Sequence, residues 1–209
     1  MNGYFISFEG TEGSGKTSVI QAVKAYFEEK HVPLLITREP GGIRISEKIR
    51  DILLDKEHTE MDARTEALLF AASRRQHLVE KIRPALNEGK LILCDRFVDS
   101  SLVYQGIARN LGIDLVYEIN RFAIEDTLPD LTIFIDVHPE IGLKRVFSTK
   151  SREVNRLDLE KLDFHNMIYR GYLDLITKFP DRIKRVNGER PLEEVTDEVI
   201  SLIESLLKG

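Results

Sequence analysis

The sequence predicts an α/β domain built on a parallel sheet with helices on both faces, and three observations carry that reading. Five short β-type runs alternate with longer segments whose apolar residues recur at helical spacing, the order expected of parallel strands joined by helical crossovers. The 209 residues are enough for one sizeable core, 42% of them are apolar and 31% charged, and no repeat or low-complexity linker divides them. A glycine-rich loop ending in Lys16-Thr17 lies between the first run and the first helical segment, a place where α/β sheets hold ligands.

Taken in order, the first run is Tyr4 to Phe8, and the helix after the loop spans about Lys16 to Lys30, closed by His31-Val32-Pro33. The second run, Leu34 to Thr37, precedes helices at about Ile43 to Leu54 and Ala63 to Asn87. Glu88-Gly89 ends the latter just before the third run, Leu91 to Cys94. Helices at about Ser100 to Arg109 and Leu115 to Glu125 lead to the fourth run, Leu131 to Val137, and Pro139 opens a helix at about Ile141 to Thr149. The segment Lys150 to Asp158 is polar and cation-rich between helical stretches, the composition of a mobile loop. A helix at about Asp158 to Lys178, a fifth run at Ile183 to Asn187 and a helix at about Leu192 to Leu207 complete the chain.

A formal net charge of -5 argues against a surface built to hold a nucleic-acid backbone, which needs clustered cations to displace counterions. Cys94 is the sole cysteine and sits in an apolar run, so no intrachain disulfide is expected. Met1 to Ser7 carries no basic leader and Glu9 interrupts the apolar stretch; the expectation is neither a secretory signal nor a membrane span, and a cytoplasmic location. His31, His58, His77, His138 and His165 show no zinc spacing, so no structural metal is expected.

Gly10-Thr11-Glu12-Gly13-Ser14-Gly15-Lys16-Thr17 is a complete GxxxxGK(S/T) sequence flanked by a strand and a helix. Its glycines let successive amides turn inward around a polyphosphate, and the helix N-terminus adds oriented N–H groups. Lys16 is expected against the β- and γ-phosphates of a bound nucleotide and the Thr17 hydroxyl on Mg2+. The spacing is not the GxGxxG of dinucleotide sites. At the end of the third run, Asp95 can organise the metal and its waters, and Arg96 can bridge anionic oxygens. A guanine-specific switch would need an Asn-Lys-x-Asp reader, which the sequence lacks.

Acceptor-side candidates flank Asp95. Glu39 lies in the charged turn Thr37-Arg38-Glu39-Pro40-Gly41-Gly42, and Arg50 falls on the following helix. Phe70 and Arg74 share a helical face, where a ring and a guanidinium can surround a planar base; core packing and a solvated charge are the plainer readings of each alone. Ser101 and Gln105 share another face and can read polar base edges.

Phe8-Glu9-Gly10-Thr11-Glu12-Gly13-Ser14-Gly15-Lys16-Thr17, Thr37 to Gly42, Leu69-Phe70-Ala71-Ala72-Ser73-Arg74-Arg75 and Asp95-Arg96-Phe97-Val98-Asp99-Ser100-Ser101 together resemble bacterial thymidylate kinase. The resemblance runs on through Tyr104-Gln105-Gly106, Pro129-Asp130-Leu131-Thr132 and Asn155-Arg156-Leu157-Asp158, covering essentially the whole chain. It implies a P-loop nucleoside-monophosphate-kinase fold, one domain over residues 1–209 with sheet order 2-3-1-4-5 and a helical lid at about residues 142–158. It also implies transfer from ATP to dTMP with Mg2+, and a homodimer. Under the resemblance Phe70 stacks on the base, Arg74 and Gln105 read its edge with Ser101 nearby, and Arg50 and Arg96 clamp the acceptor phosphate, with Glu39 and Asp95 organising the site. Glu12 would serve near the deoxyribose and Glu9 at the sugar or the metal waters, Tyr104 would disfavour a ribose 2′-hydroxyl, and the lid arginines Arg152 and Arg156 would stabilise the transferring group. Phe97 departs from the family's common tyrosine or histidine and removes a hydroxyl contact there. A deoxynucleoside kinase using Glu39 or Asp95 as base, a nucleotide-sensing module and a simple hydrolase remain as alternatives.

Overall fold

The computed structural model describes residues 3–148 and 155–208. In chain order it forms β1 (Tyr4–Glu9), α1 (Lys16–Glu29), β2 (Leu34–Arg38), α2 (Arg44–Leu54), α3 (Ala63–His77), α4 (Arg83–Asn87) and β3 (Leu91–Asp95). There follow α5 (Val98–Ser101), α6 (Ile113–Ile124), β4 (Leu131–Asp136), α7 (Pro139–Ser148), α8 (Leu162–Lys178), β5 (Ile183–Asn187) and α9 (Leu192–Lys208). The strands are parallel in the order β2-β3-β1-β4-β5. In this order the chain leaves β1 toward one edge and later crosses from β3 to the other side, opening a crevice at the carboxyl ends of β1 and β3. Their register sets Phe8 opposite Asp95, so the loop after β1 and the turn after β3 emerge side by side.

Both sheet faces are covered, which is why the central strands read as continuous apolar runs. On one face Ile6, Phe8, Leu93 and Ile133 pack on Val19, Val23 and Phe27 of α1 and Val195, Val199 and Ile203 of α9. On the other, Phe5 and Ile92 meet Leu78, Ile82 and Ala85, while Phe134 meets Ile168, Tyr172 and Leu175 of α8.

The structure differs from the periodicity reading at several element boundaries. The stretch expected as one helix from Ala63 to Asn87 contains a π-helical turn, Leu78–Ile82. Pro84 has no N–H for an upstream carbonyl, and the ladder widens just before it, with Arg83 N–H reaching Leu78 O. The helix expected from Ser100 starts at Val98 and runs into a second π-helical turn, Leu102–Ala108, which carries Tyr104 and Gln105. The helix expected from Asp158 begins at Leu162, because the Asn155 side chain caps a short 3-10 turn by accepting from Leu157 N–H (2.9 Å) and Asp158 N–H (3.3 Å). β4 stops at Asp136, one residue short of Val137. Residues 149–154, which hold part of the expected loop and lid, lie outside the described residues.

Candidate active site

The loop between β1 and α1 wraps back on the amine of Lys16, which donates to Gly10 O (3.2 Å), Thr11 O (3.1 Å) and Ser14 Oγ (3.2 Å). Burial, aided by the Arg96 cation, pulls the lysine down to about 8, against the pull of Asp95, Glu12 and Glu9. Thr11 Oγ1 donates to Val137 O (3.0 Å), pinning the loop to the end of β4. Gly13 has φ +70° and lies so near α7 that a Cβ there would stand 2.0 Å from Gly142 O. No side chain fits at that crossing, so the loop rests backbone to backbone on α7. At the first turn of α1, Thr17 Oγ1 donates to Asp95 Oδ2 (3.4 Å), an all-oxygen pair suited to a hard cation.

Arg96 adopts φ +70°, a left-handed conformation rare for a non-glycine residue, with its N–H held by Phe8 O (2.9 Å). Its guanidinium donates to Glu12 Oε1 (2.9 Å), Ser100 Oγ (3.1 Å) and Tyr172 OH (3.3 Å). Burial works against its charge, yet Tyr104, Glu12, Tyr172 and Glu9 more than offset it and keep the cation firmly protonated. Tyr104 OH donates to the same Glu12 oxygen (2.8 Å). Beneath them Glu9 is wholly buried and accepts from Phe97 N–H (2.8 Å), Ser100 Oγ (2.6 Å) and Tyr172 OH (2.8 Å). Burial and neighbouring Asp99 push the Glu9 carboxyl up from its ordinary value.

These groups open into a cleft of about 830 Å³. The cleft is lined by the phosphate loop from Glu12 to Thr17, by Asp95 and Arg96, and by Glu39, Arg50, Phe70, Arg74, Ser101, Tyr104 and Gln105. Of the residues expected at the site, Gly10 and Thr11 act from behind the loop through the bonds already given, and Glu9 is buried under the floor. Arg50 donates to Pro40 O (2.9 Å) and its charge is disfavoured by burial and by Arg38, which lowers it from its ordinary value. Phe70 is half-buried at the edge of the α8 core cluster, so one part of its ring packs and another faces the cleft.

Two of the expected residues carry bonds within the protein that their spacing did not suggest. Arg74 is 1% exposed and donates to Glu39 Oε2 (2.7 Å), Ser101 Oγ (2.9 Å), Phe97 O (2.9 Å) and Asn120 Oδ1, so a single N–H of its fork remains for a base edge. Glu39 is held on its other oxygen by His77 Nδ1 (2.9 Å), whose Nε2 meets Thr37 Oγ1 (2.6 Å). Arg156 does not reach the phosphate loop: it donates to Leu53 O (3.1 Å) and Glu66 Oε2 (2.5 Å), because a buried carboxylate and the last carbonyls of α2 attract the cation more locally. Arg152 lies outside the described residues.

Sequence reading missed Glu66, Ser100, Asn120, Tyr172, Arg145 and Arg190. Arg145 and Arg190 line the cleft, and Arg190 also pairs with Glu198. Glu66 had a legible signal, standing one turn before Phe70 on the same helix face. Tyr172 and Asn120 had none, since each comes from a distant helix.

A phosphate loop at the crevice of a 2-3-1-4-5 parallel sheet, sharing one cleft with Arg50, Arg74, Arg96 and the ring of Phe70, defines a P-loop phosphotransferase of the nucleoside-monophosphate-kinase fold. The thymidylate kinase family model matches residues 8–199. Curated thymidylate kinases of Bacillus anthracis (strain A0248) and Bacillus cereus (strain AH187) are each 58% identical over 207 residues, 99% of this chain and 100% of theirs. A crystal structure of thymidylate kinase from Ehrlichia chaffeensis superposes with a TM-score of 0.80 at 30% identity, over 97% of this chain and 100% of that one. The chain belongs to the thymidylate kinase family.

Proposed function

We propose that this chain transfers the γ-phosphoryl group of ATP to the phosphate of dTMP, forming dTDP and ADP for dTTP synthesis. The observation that carries the reading, within this family, is the cleft that gathers Lys16 and its loop with Arg50 and Arg96. Lys16 and the loop amides bind the β- and γ-phosphates, trading neutral oxygen partners for anionic ones. Arg50 and Arg96 bind the acceptor phosphate, Phe70 stacks on the base, and Gln105 reads its edge beside Ser101. Tyr104 and Glu12, bonded to each other, border the sugar and leave little room for a 2′-hydroxyl. Thr17 and Asp95 would hold Mg2+, which when bound supplies charge neutralisation on the polyphosphate.

The transfer is direct and in line, and the acceptor oxygen is already anionic, so no side chain need act as base. That also weighs against a deoxynucleoside kinase, whose hydroxyl needs a carboxylate base: both oxygens of Glu39 are engaged by Arg74 and His77. The chain is proposed as one domain with a lid over about residues 142–158, and as a cytoplasmic enzyme. No helix among the described residues is long and apolar enough to cross a membrane. A homodimer is proposed from the family resemblance, with support from exposed Leu115 and Phe122, two turns apart on α6.

Initial rates with ATP and Mg2+ test the reading, comparing dTMP, dUMP, dCMP, dGMP, UMP and thymidine while following acceptor product and free phosphate. Strong preference for dTMP with dTDP as product supports it. Preference for thymidine, or phosphate release without acceptor product, overturns it.

A further inference from the structure

Glu66 joins three parts of the molecule that the proposed reaction uses separately. It sits on α3, 1% exposed, one turn before Phe70. Its Oε1 accepts from Gln105 Nε2 (2.9 Å) on the π-helical turn, and Arg109 donates to both oxygens (3.3 Å each). Its Oε2 accepts from Arg156 (2.5 Å), whose own backbone N–H and Nε tie it to Leu54 O (3.2 Å) and Leu53 O (3.1 Å) at the end of α2. Arg109 is anchored in turn by Glu160 (2.7 Å). Burial resists the Glu66 charge, but the bond from Gln105 and the cations of Arg109 and Arg156 outweigh it and hold the carboxyl below its ordinary value.

An ionised carboxylate only accepts hydrogen bonds, so it admits one orientation of the Gln105 amide, with the NH2 group toward Glu66. The carbonyl oxygen of that amide is thereby the group left to face the cleft that Gln105 lines. A carbonyl there accepts from a ring N–H, as thymine and uracil offer, and repels the bare ring nitrogen that cytosine presents at the same place. We propose that Glu66 is a positioning residue for acceptor specificity: it fixes the Gln105 amide so that the site selects bases carrying a ring N–H. The inference rests on the reading of Gln105 as a base reader.

The experiment is Glu66→Gln in the full-length chain, assayed for kcat and KM with dTMP and with dCMP, alongside the melting temperature. The amide that this substitution introduces can accept or donate, so the Gln105 amide is free to turn over. The expected result is a fall of roughly tenfold or more in the ratio of kcat/KM for dTMP over dCMP, mostly through a higher KM for dTMP, with kcat for dTMP nearly kept. In a Gln105→Leu background the same change should leave that ratio unaltered. A folded Glu66→Gln whose ratio stays within about twofold of the parent overturns the proposal, because a merely structural residue would slow both substrates together. Should that variant not fold, Glu66→Asp keeps the charge opposite Arg109 and Arg156 but draws it back from Gln105, and the same ratio decides. A parent enzyme with no preference for dTMP would instead overturn the proposed function, so the two failures are distinguishable.

Discussion

Replacing Arg74 with alanine separates two roles that this side chain could have. A base reader at the cleft wall would cost substrate affinity and little else. The structure instead surrounds it with Glu39, Ser101, Asn120 and Phe97 O, and Glu39 and Asn120 are themselves 5% and 1% exposed. Removing one partner of a buried ion pair costs about 3–5 kcal/mol, because the remaining charge is stranded out of water. His77 still contacts the other Glu39 oxygen, which favours the lower end, about 3 kcal/mol. For a chain of this size that corresponds to a drop of roughly 6–12 °C in melting temperature. Calorimetry on the purified variant, with circular dichroism to confirm the starting fold and steady-state kinetics on what remains folded, measures both consequences. A melting temperature within about 2 °C of the parent, accompanied by a raised KM for dTMP, would refute the reasoning.

Lys16→Ala should reduce kcat by roughly a hundredfold to a thousandfold while largely preserving the melting temperature, since its amine braces only its own loop; near-normal transfer would sink its role. The lysine loses its proton in the folded chain at about 8 rather than 10.5, so its penalty on folding is full below pH 8 and is relieved as pH rises toward 10.5. ATP favours the protonated form, so titration calorimetry should show affinity weakening above about pH 8 with proton uptake on binding, and a flat profile would count against it. Asp99, wholly buried, holds Arg182 through two bonds of 2.6 and 2.7 Å and accepts from Thr132 (3.0 Å). Denaturant titration of Asp99→Asn should show a loss of about 3 kcal/mol, with much of it recovered when Arg182 is also made apolar; additive losses would contradict a stranded charge as the cause.

What the sequence made legible is what depends on neighbours in the chain. The five strands announced themselves as apolar runs because a sheet covered on both faces demands them, and the phosphate loop was readable because its chemistry is local. Spacing brought Phe70 and Arg74 onto one face of α3 but could not say which of the two would be swallowed. That was settled by Asn120, arriving from α6, and by Phe97 O, arriving after β3, which take up the guanidinium. Arg156 shows the same limit: its partner Glu66 lies ninety residues away in sequence, beyond what a local motif can reveal. The π-helical turns escaped because a window of apolar spacing cannot tell a five-residue ladder from a four-residue one over so short a run.

The cations of the cleft are held in two different ways, and the difference bears on how each substrate enters. Lys16 is held by neutral oxygens, so a phosphate oxyanion displaces them at little electrostatic cost and restores a charge that burial disfavours. Arg96 is already matched to the Glu12 carboxylate at 2.9 Å, and an acceptor phosphate that displaced Glu12 would have to break that pair. The cheaper course is for the acceptor to add to the Arg96 fork, whose Nε–H has no acceptor among the described residues, leaving Glu12 between Arg96 and Tyr104. On that geometry Glu12 repels a misplaced phosphate while tolerating a correctly seated one. Under the proposed roles the donor site draws most of its affinity from charge, and the acceptor site depends on alignment.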